Sequence, residues 1–320
     1  MVVSSQRGRM PDFFIAGHPK SGTTALYRML REHPQIFMPS LKEPLYFSSD
    51  MRLRFDTPRS EKVPQTLEAY LALFADARPD QLLGEASSSY LWSHTAAAAI
   101  AEAQPAARIV AVLREPASFL RSLHLQFMQI HVEGEGDFAK ALALESARRE
   151  GKRIPRRSHR PQLLLYSEHV RYVEQLRRYE QLFAPEQLLV IVYDDFRNDN
   201  EATVRSILRF LEVDDRAPIH AKEANPTVTV RSPRLHDLSQ AVALGRGPLT
   251  RGLNRTVKSL GPERTRQLVR LRERVLMGGA RTPDDSVMLE LRRRYEPEVV
   301  ALSEHLGRDL VSMWGYESLD

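Results

Sequence analysis

The chain has 320 residues, 42% hydrophobic and 27% charged, which provides apolar material for one large domain or two small ones and excludes a disordered chain. Cysteine is absent, which excludes disulfides, thiolate catalysis and Cys-ligated zinc, and suits a reducing compartment. The net charge of +5, carried mostly by Arg, suits an anionic ligand; nucleic acid is not expected, because zinc-finger spacing, an RNP-type strand and a basic region leading into heptads are missing.

No apolar run approaches the roughly 20 residues that cross a bilayer. The opening MVVSSQRGRMPDFFIAG has neither the long apolar stretch nor the small-residue cleavage site of a secretory signal. The expectation is a cytoplasmic protein with no membrane span, and the Arg-rich, Lys-poor composition points to a GC-rich bacterial source.

Residues 1–11 read as a loose arm, and 12–320 as a single domain. Asp12 to Ala16 is a short apolar run ending at Gly17, read as a buried strand. After Gly17 to Gly22, the segment TTALYRMLREHP places Leu26, Met29 and Leu30 at helical spacing and stops before Pro34. Gln81 to Gly84 is a candidate strand. Arg108 to Leu113 is another, followed by a helical pattern with Phe119, Leu120, Leu123 and Phe127 on one face. Gln187 to Val192 is a further strand between the helical segments HVRYVEQLRRYEQLF and ATVRSILRFLEV. Apolar strands alternating with amphipathic helices predict an α/β fold: a P-loop-like, three-layer arrangement with a central parallel sheet and helices on both faces.

Two stretches interrupt the alternation, at about 128–165 and 222–262, and long excursions of this kind often serve as lids. The first includes the basic run RREGKRIPRRSHR, Arg148 to Arg160, for which a lid, an interface and a solvated loop all stay open. The closing segment, from about Asp284 to Trp314, reads as helical.

Gly17-His18-Pro19-Lys20-Ser21-Gly22-Thr23-Thr24 has the length and glycine spacing of a Walker A loop, whose amides form an anion nest with a helix dipole behind it. In an NTPase a lysine follows the second glycine, to reach the β- and γ-phosphates. Here Thr23 stands there, and the lysine comes two residues before Gly22, at Lys20. A lysine so placed suits a shorter donor, a single 5′-phosphosulfate, in which charge accumulates on the oxygen bridging phosphorus and sulfur. Such a transfer does not oblige a metal.

The segment FFIAGHPKSGTTALYRMLREHPQI, followed by KEPLYFSSD, resembles the start of sulfotransferases of the heparan-sulfate-type and related bacterial branch. That resemblance implies 3′-phosphoadenosine 5′-phosphosulfate (PAPS) as donor, with Lys20, Ser21, Gly22, Thr23 and Thr24 as ligands of the phosphosulfate and Lys20 assisting the leaving phosphate. The segment VLREPASFLRS is similar to the family's 3′-phosphate site, which implies Arg114 at a strand end and Ser122 on the next helix as its ligands. The stretch NPTVTVRS resembles the late loop of bacterial members and implies Arg231 as a third ligand.

In the same branch the base is a Glu before an aromatic pair, which implies Glu43 in Glu43-Pro44-Leu45-Tyr46-Phe47. Partial desolvation of that carboxylate favours a usable base, whereas neighbouring Lys42 opposes the shift. Histidine is the base in the cytosolic branch, so His18, His33, His94, His124 and His131 are considered, with His124 the alternative and His33 read as structural. Heparan-type members carry Glu-Lys where this chain has Glu85-Ala86, which weakens an expectation of a highly sulfated acceptor. Glu85, Ser88 and His124 are candidates for the acceptor side. The acceptor is expected to be a small molecule, a glycan or a lipid bearing a hydroxyl or an amine.

Two other readings stay open. In a P-loop kinase or NTPase, LLVIVYDD is a Walker B strand and Asp194 or Asp195 holds Mg²⁺. A non-catalytic protein would keep the nucleotide fold only to bind a partner.

Overall fold

The computed structural model describes residues 8–51, 63–155, 158, 160–220, 228–230, 277–279 and 285–319. The sheet is built from the predicted apolar runs: β1 Phe13–Ile15, β3 Leu82–Ala86, β4 Arg108–Leu113 and β5 Leu188–Val192, with a two-residue strand β2, Ile36–Phe37, that no pattern in the sequence marks. The order is β2-β3-β1-β4-β5, and every pairing is parallel. Ile15 registers with Ala86 on one side and Val110 on the other. The order reverses at β1, so the gap between the carboxyl ends of β1 and β4 is the switch point at which such sheets receive ligands.

Both faces are covered, which is why the strands read as continuous apolar runs rather than alternating ones. Phe13, Ile15, Val110 and Val112 share one core with Ala25, Leu26 and Leu30 of α1 (Thr23–Arg31) and Val204, Ile207 and Leu208 of α9 (Asn200–Phe210). The alternate residues Phe14, Ile109, Ala111 and Leu113 are buried as well, with the Phe14 ring 5.6 Å from Phe47 and 6.4 Å from Tyr90. Each such side chain removed from water stabilises the fold by roughly 1.5–3 kcal/mol before entropy is counted. Between the strands run α2 (Leu67–Leu71), α3 (Ala96–Ala103), α4 (Pro116–Gln129) and α7 (Tyr172–Glu180), and α8 (Tyr193–Asn198) follows β5. The closing segment is a helix over Asp285–Leu306 and a short turn of helix at Leu310–Met313. None of the described helices is long and apolar enough to cross a membrane.

The chain divides into two compact units. The first, Met1–Phe119, Ser167–Asn225 and Leu291–Asp320, holds the five-stranded sheet; the second is Leu120–Tyr166 and Pro226–Glu290. The second contains α5 (Phe138–Ala143), capped by the Asp137 side chain at Lys140 N, α6 (Glu145–Arg149), and the antiparallel pair Val228–Val230 with Met277–Gly279. Among buried apolar side chains such as Leu123, Phe127, Phe138 and Leu164 it holds a polar network. Arg148 donates to both oxygens of Glu133 at 2.7 Å, Tyr166 donates to Glu133 at 3.0 Å, and His124 Nδ1 meets the Tyr166 hydroxyl at 3.0 Å. Arg148, which opens the basic run, is therefore a buried structural cation and not part of a solvated loop.

Candidate active site

β1 ends at a glycine for a steric reason: a Cβ on Gly17 would lie 2.0 Å from Val112 N, inside the neighbouring strand. The chain then turns with His18 N–H donating to the Val112 carbonyl at 2.9 Å. His18 is buried, its Nε2 2.7 Å from Gln175 Oε1 and its ring beside Phe119 and Tyr172. Burial pushes its pKa down to about 3, so it is a neutral structural histidine. Lys20 and Gly22 both take left-handed backbone angles, φ +65° and +80°, and Gly22 caps α1. Ala25 and Leu26 N–H donate to the Gly22 carbonyl at 2.9 and 3.1 Å, and the amides before them, at Thr23 and Thr24, have no acceptor one turn back in the helix. The Ser21 hydroxyl is buried with no hydrogen-bond partner among the described residues.

Across the switch point, Arg114 follows the last residue of β4. Its Nη1 donates to the Lys20 carbonyl at 2.8 Å, its guanidinium lies 4.8 Å from the centre of the Tyr193 ring, and its own carbonyl accepts from Tyr172 Oη at 2.8 Å. Burial lowers the Lys20 pKa, and the Arg114 charge lowers it further. No carboxylate pairs with Lys20 or Arg114 among the described residues. Two cations thus sit together at the start of α1 with no carboxylate to neutralise them among the described residues, which is the electrostatic signature of an anion site.

Glu43 reaches the same edge of the sheet from β3. Its N–H donates to the Ala86 carbonyl at 2.9 Å, and Ala86 is the residue paired with Ile15. Its carboxylate accepts from Lys42 Nζ at 2.5 Å, from Ser88 Oγ at 2.7 Å and from Ser88 N at 3.0 Å. Glu43 and Leu45 both have positive φ, +62° and +56°, a strain held by the bond from Leu45 N to Ser87 Oγ. Glu85 is fully enclosed below, one oxygen accepting from Tyr70 at 3.0 Å and from Tyr90 at 2.8 Å. Burial raises its pKa to about 7; bonds from Ser87, Tyr90 and Tyr70 oppose the rise, and the Glu43 charge adds to it.

The structure therefore brings Lys20, Ser21, Gly22, Thr23, Thr24 and Arg114 to the ends of β1 and β4, and Glu43, Glu85 and Ser88 to the end of β3. Ser122 and His124 belong to the second unit. Ser122 is buried there with its hydroxyl unpartnered among the described residues, and burial pushes the His124 pKa down to about 4. Arg231 lies outside the described residues. His33 is structural, as read: its Nε2 meets the Asp214 carbonyl at 2.8 Å. Tyr193 and Tyr172 contact Arg114 and are neighbours of the candidate site that the sequence reading missed. Tyr193 follows a strand directly, a signal that was spent on the two aspartates after it.

Those aspartates decide against the Walker B reading. Asp194 accepts from Trp314 Nε1 at 3.0 Å, and Asp195 takes both Arg308 nitrogens, at 2.5 and 2.7 Å. Both carboxylates are engaged in holding the C-terminal segment.

Residues 11–217 match the sulfotransferase family model. The chain belongs to the sulfotransferase family. It is similar to the human carbohydrate sulfotransferase 15, with 31% identity over 37% of this chain and 27% of that protein, and to the membrane-associated sulfotransferase kil1 of Dictyostelium discoideum, with 32% identity over 33% of this chain and 21% of that protein. The matched region thus spans about a quarter of the length of these curated relatives. Among solved structures, a sulfotransferase from Alicyclobacillus acidocaldarius superposes with a TM-score of 0.65 at 26% identity, covering 95% of this chain and 98% of that one. The predicted fold, with its central parallel sheet, is the sulfotransferase fold.

Proposed function

We propose that this sulfotransferase uses PAPS as donor and moves its sulfuryl group to a hydroxyl or amine of a small-molecule, glycan or lipid acceptor, with Glu43 as general base. The observation that carries the reading is the pair Lys20 and Arg114 at the switch point, which has no carboxylate partner among the described residues, with the buried Ser21 hydroxyl, likewise without a partner among them, in the same loop. A compact phosphosulfate fits a loop whose lysine precedes the turn, and a separate 3′-phosphate suits a guanidinium across the gap. The donor supplies a sulfur atom linked through oxygen to a 5′-phosphate; attack by the acceptor oxygen forms one S–O bond as the bridging one breaks. Lys20 stabilises the negative charge left on the phosphate oxygen. Glu43, already aimed by Ser88 and Lys42, takes the acceptor's proton.

In this reading the 3′-phosphate falls to Arg114 and Ser122, with Arg231 as a third ligand, and Glu85, Ser88 and His124 are candidates for the acceptor side. A carbohydrate acceptor is supported by the likeness to carbohydrate sulfotransferase 15. Thermal-shift titration tests the donor: stabilisation by 3′,5′-diphosphoadenosine without metal is expected, and stabilisation by Mg·ATP alone would overturn the reading in favour of a kinase. Sulfate-transfer assays of Lys20→Ala and Glu43→Gln test the roles, and undiminished activity in both would refute them.

A further inference from the structure

The family match ends at residue 217, yet the segment from Leu291 onward sends polar side chains back to the tips of the strands that carry the donor site. Three of these contacts fall on residues within two positions of Arg114 or Tyr193. Trp314 donates to Asp194 and Arg308 to Asp195, while Tyr316, itself buried, donates to Glu115 Oε1 at 2.5 Å. Glu115 is buried too, and its carboxylate caps α4, accepting from Ala117 N at 3.0 Å and Ser118 N at 2.6 Å. Arg292 approaches the same carboxylate at 3.8 Å.

We propose that Tyr316 is a positioning residue for donor binding: through Glu115 it fixes the first turn of α4 and so the backbone that aims Arg114. A charge-assisted bond from a buried phenol to a capping carboxylate is short and directional, and it holds that carboxylate on its two amides. Arg114 is the residue before the cap, with its carbonyl already held by Tyr172. The proposal rests on the donor reading above, in which Arg114 serves the 3′-phosphate.

The test uses the full chain and two measurements: calorimetric titration with 3′,5′-diphosphoadenosine and with adenosine 5′-phosphate, and hydrogen exchange at the Ala117 and Ser118 amides without ligand. Tyr316→Phe keeps the ring and removes the bond. It is expected to weaken the diphosphate about three- to tenfold, the equivalent of one lost hydrogen bond, to affect adenosine 5′-phosphate far less, and to speed exchange at both amides. Glu115→Gln serves as a second variant, and the double variant is expected to bind no more weakly than the weaker single one. Unchanged exchange with unchanged affinity overturns the proposal, as does equal weakening of both nucleotides with a lowered Tm, the mark of a merely structural tyrosine. A wild-type chain that binds neither nucleotide overturns the donor reading and the proposal together; wild-type binding left intact in Tyr316→Phe overturns the proposal alone.

Discussion

Lys20, the proposed ligand of the phosphosulfate, is held against its own solvation. Its ammonium is partly withdrawn from water, faces a second cation and has no acidic partner among the described residues, so the folded protein bears the cost until an anion arrives. Lys20→Ala is therefore expected to raise or preserve the unliganded Tm while lowering kcat by roughly 10²–10³-fold, the usual loss when one transition-state donor is removed; a Tm scan beside a turnover assay checks both directions. Glu43→Gln is expected to lower kcat by about 10²–10⁴-fold and leave 3′,5′-diphosphoadenosine affinity unchanged, since Glu43 meets Lys42 and Ser88 and none of the loop residues. Glu85 makes a pH prediction. Its folded pKa, about 7, lies above the ordinary 4.5, so the folded state binds the proton more tightly and the associated stability is present below pH 4.5 and lost as pH rises to about 7. Above that range the carboxylate penalty amounts to about 3 kcal/mol. Glu85→Gln, which still accepts from Tyr70 and Tyr90, should gain stability over wild type as pH climbs from 4.5 to 7. The comparison must be a difference, because neutral His18 and His124 give both proteins an opposite slope as they protonate. Parallel denaturation curves across that range would refute the shift.

At the scale of elements, the loop depends on two backbone conditions. β1 must pass against β4 with no Cβ at Gly17, and α1 must begin from a left-handed Gly22 whose added Cβ would meet Phe196 at 2.9 Å and Tyr193 at 3.2 Å. Gly17→Ala forces a carbon to within 2.0 Å of Val112 N and is expected to destabilise the sheet by about 3 kcal/mol or more, seen as a fall in urea midpoint or in soluble yield. Most elements were legible from periodicity. The run RIVAVL became β4 over the predicted residues, Arg108 to Leu113, because a strand buried on both faces has to be apolar throughout. β2 was not legible: two residues carry no period, and Ile36–Phe37 are a strand only because Leu82 and Leu83 lie beside them. α8 was missed because Tyr-Asp-Asp after a strand reads as a loop, whereas the C-terminal segment supplies partners that tie both aspartates down.

On the scale of the whole molecule, the chain carries two compact units with different interiors. The first is an apolar two-faced sheet; the second is organised around the buried pair of Glu133 and Arg148, with side chains 0% and 1% exposed. Removing one partner strands the other charge, so Glu133→Gln is expected to destabilise the protein by about 3–5 kcal/mol. Glu133→Gln with Arg148→Met should recover much of that loss, since an uncharged pair needs no desolvation. A double-mutant cycle by chemical denaturation measures this, and simple additivity would refute the coupling.

By itself the sequence determined the alternation of strands and helices, the glycine-bounded turn with its early lysine, and the arginine after the fourth strand, because each is a local pattern with a local physical cause. Only the tertiary structure decided that Lys20 and Arg114 stand together without a carboxylate partner among the described residues, that Glu43 hangs from the end of β3, and that Arg148 is buried while Asp194 and Asp195 face Trp314 and Arg308. Those outcomes depend on which residues, distant in the chain, come to share a small volume of low dielectric. There, charge and hydrogen-bond partners must be matched or left wanting, and no window of sequence records that.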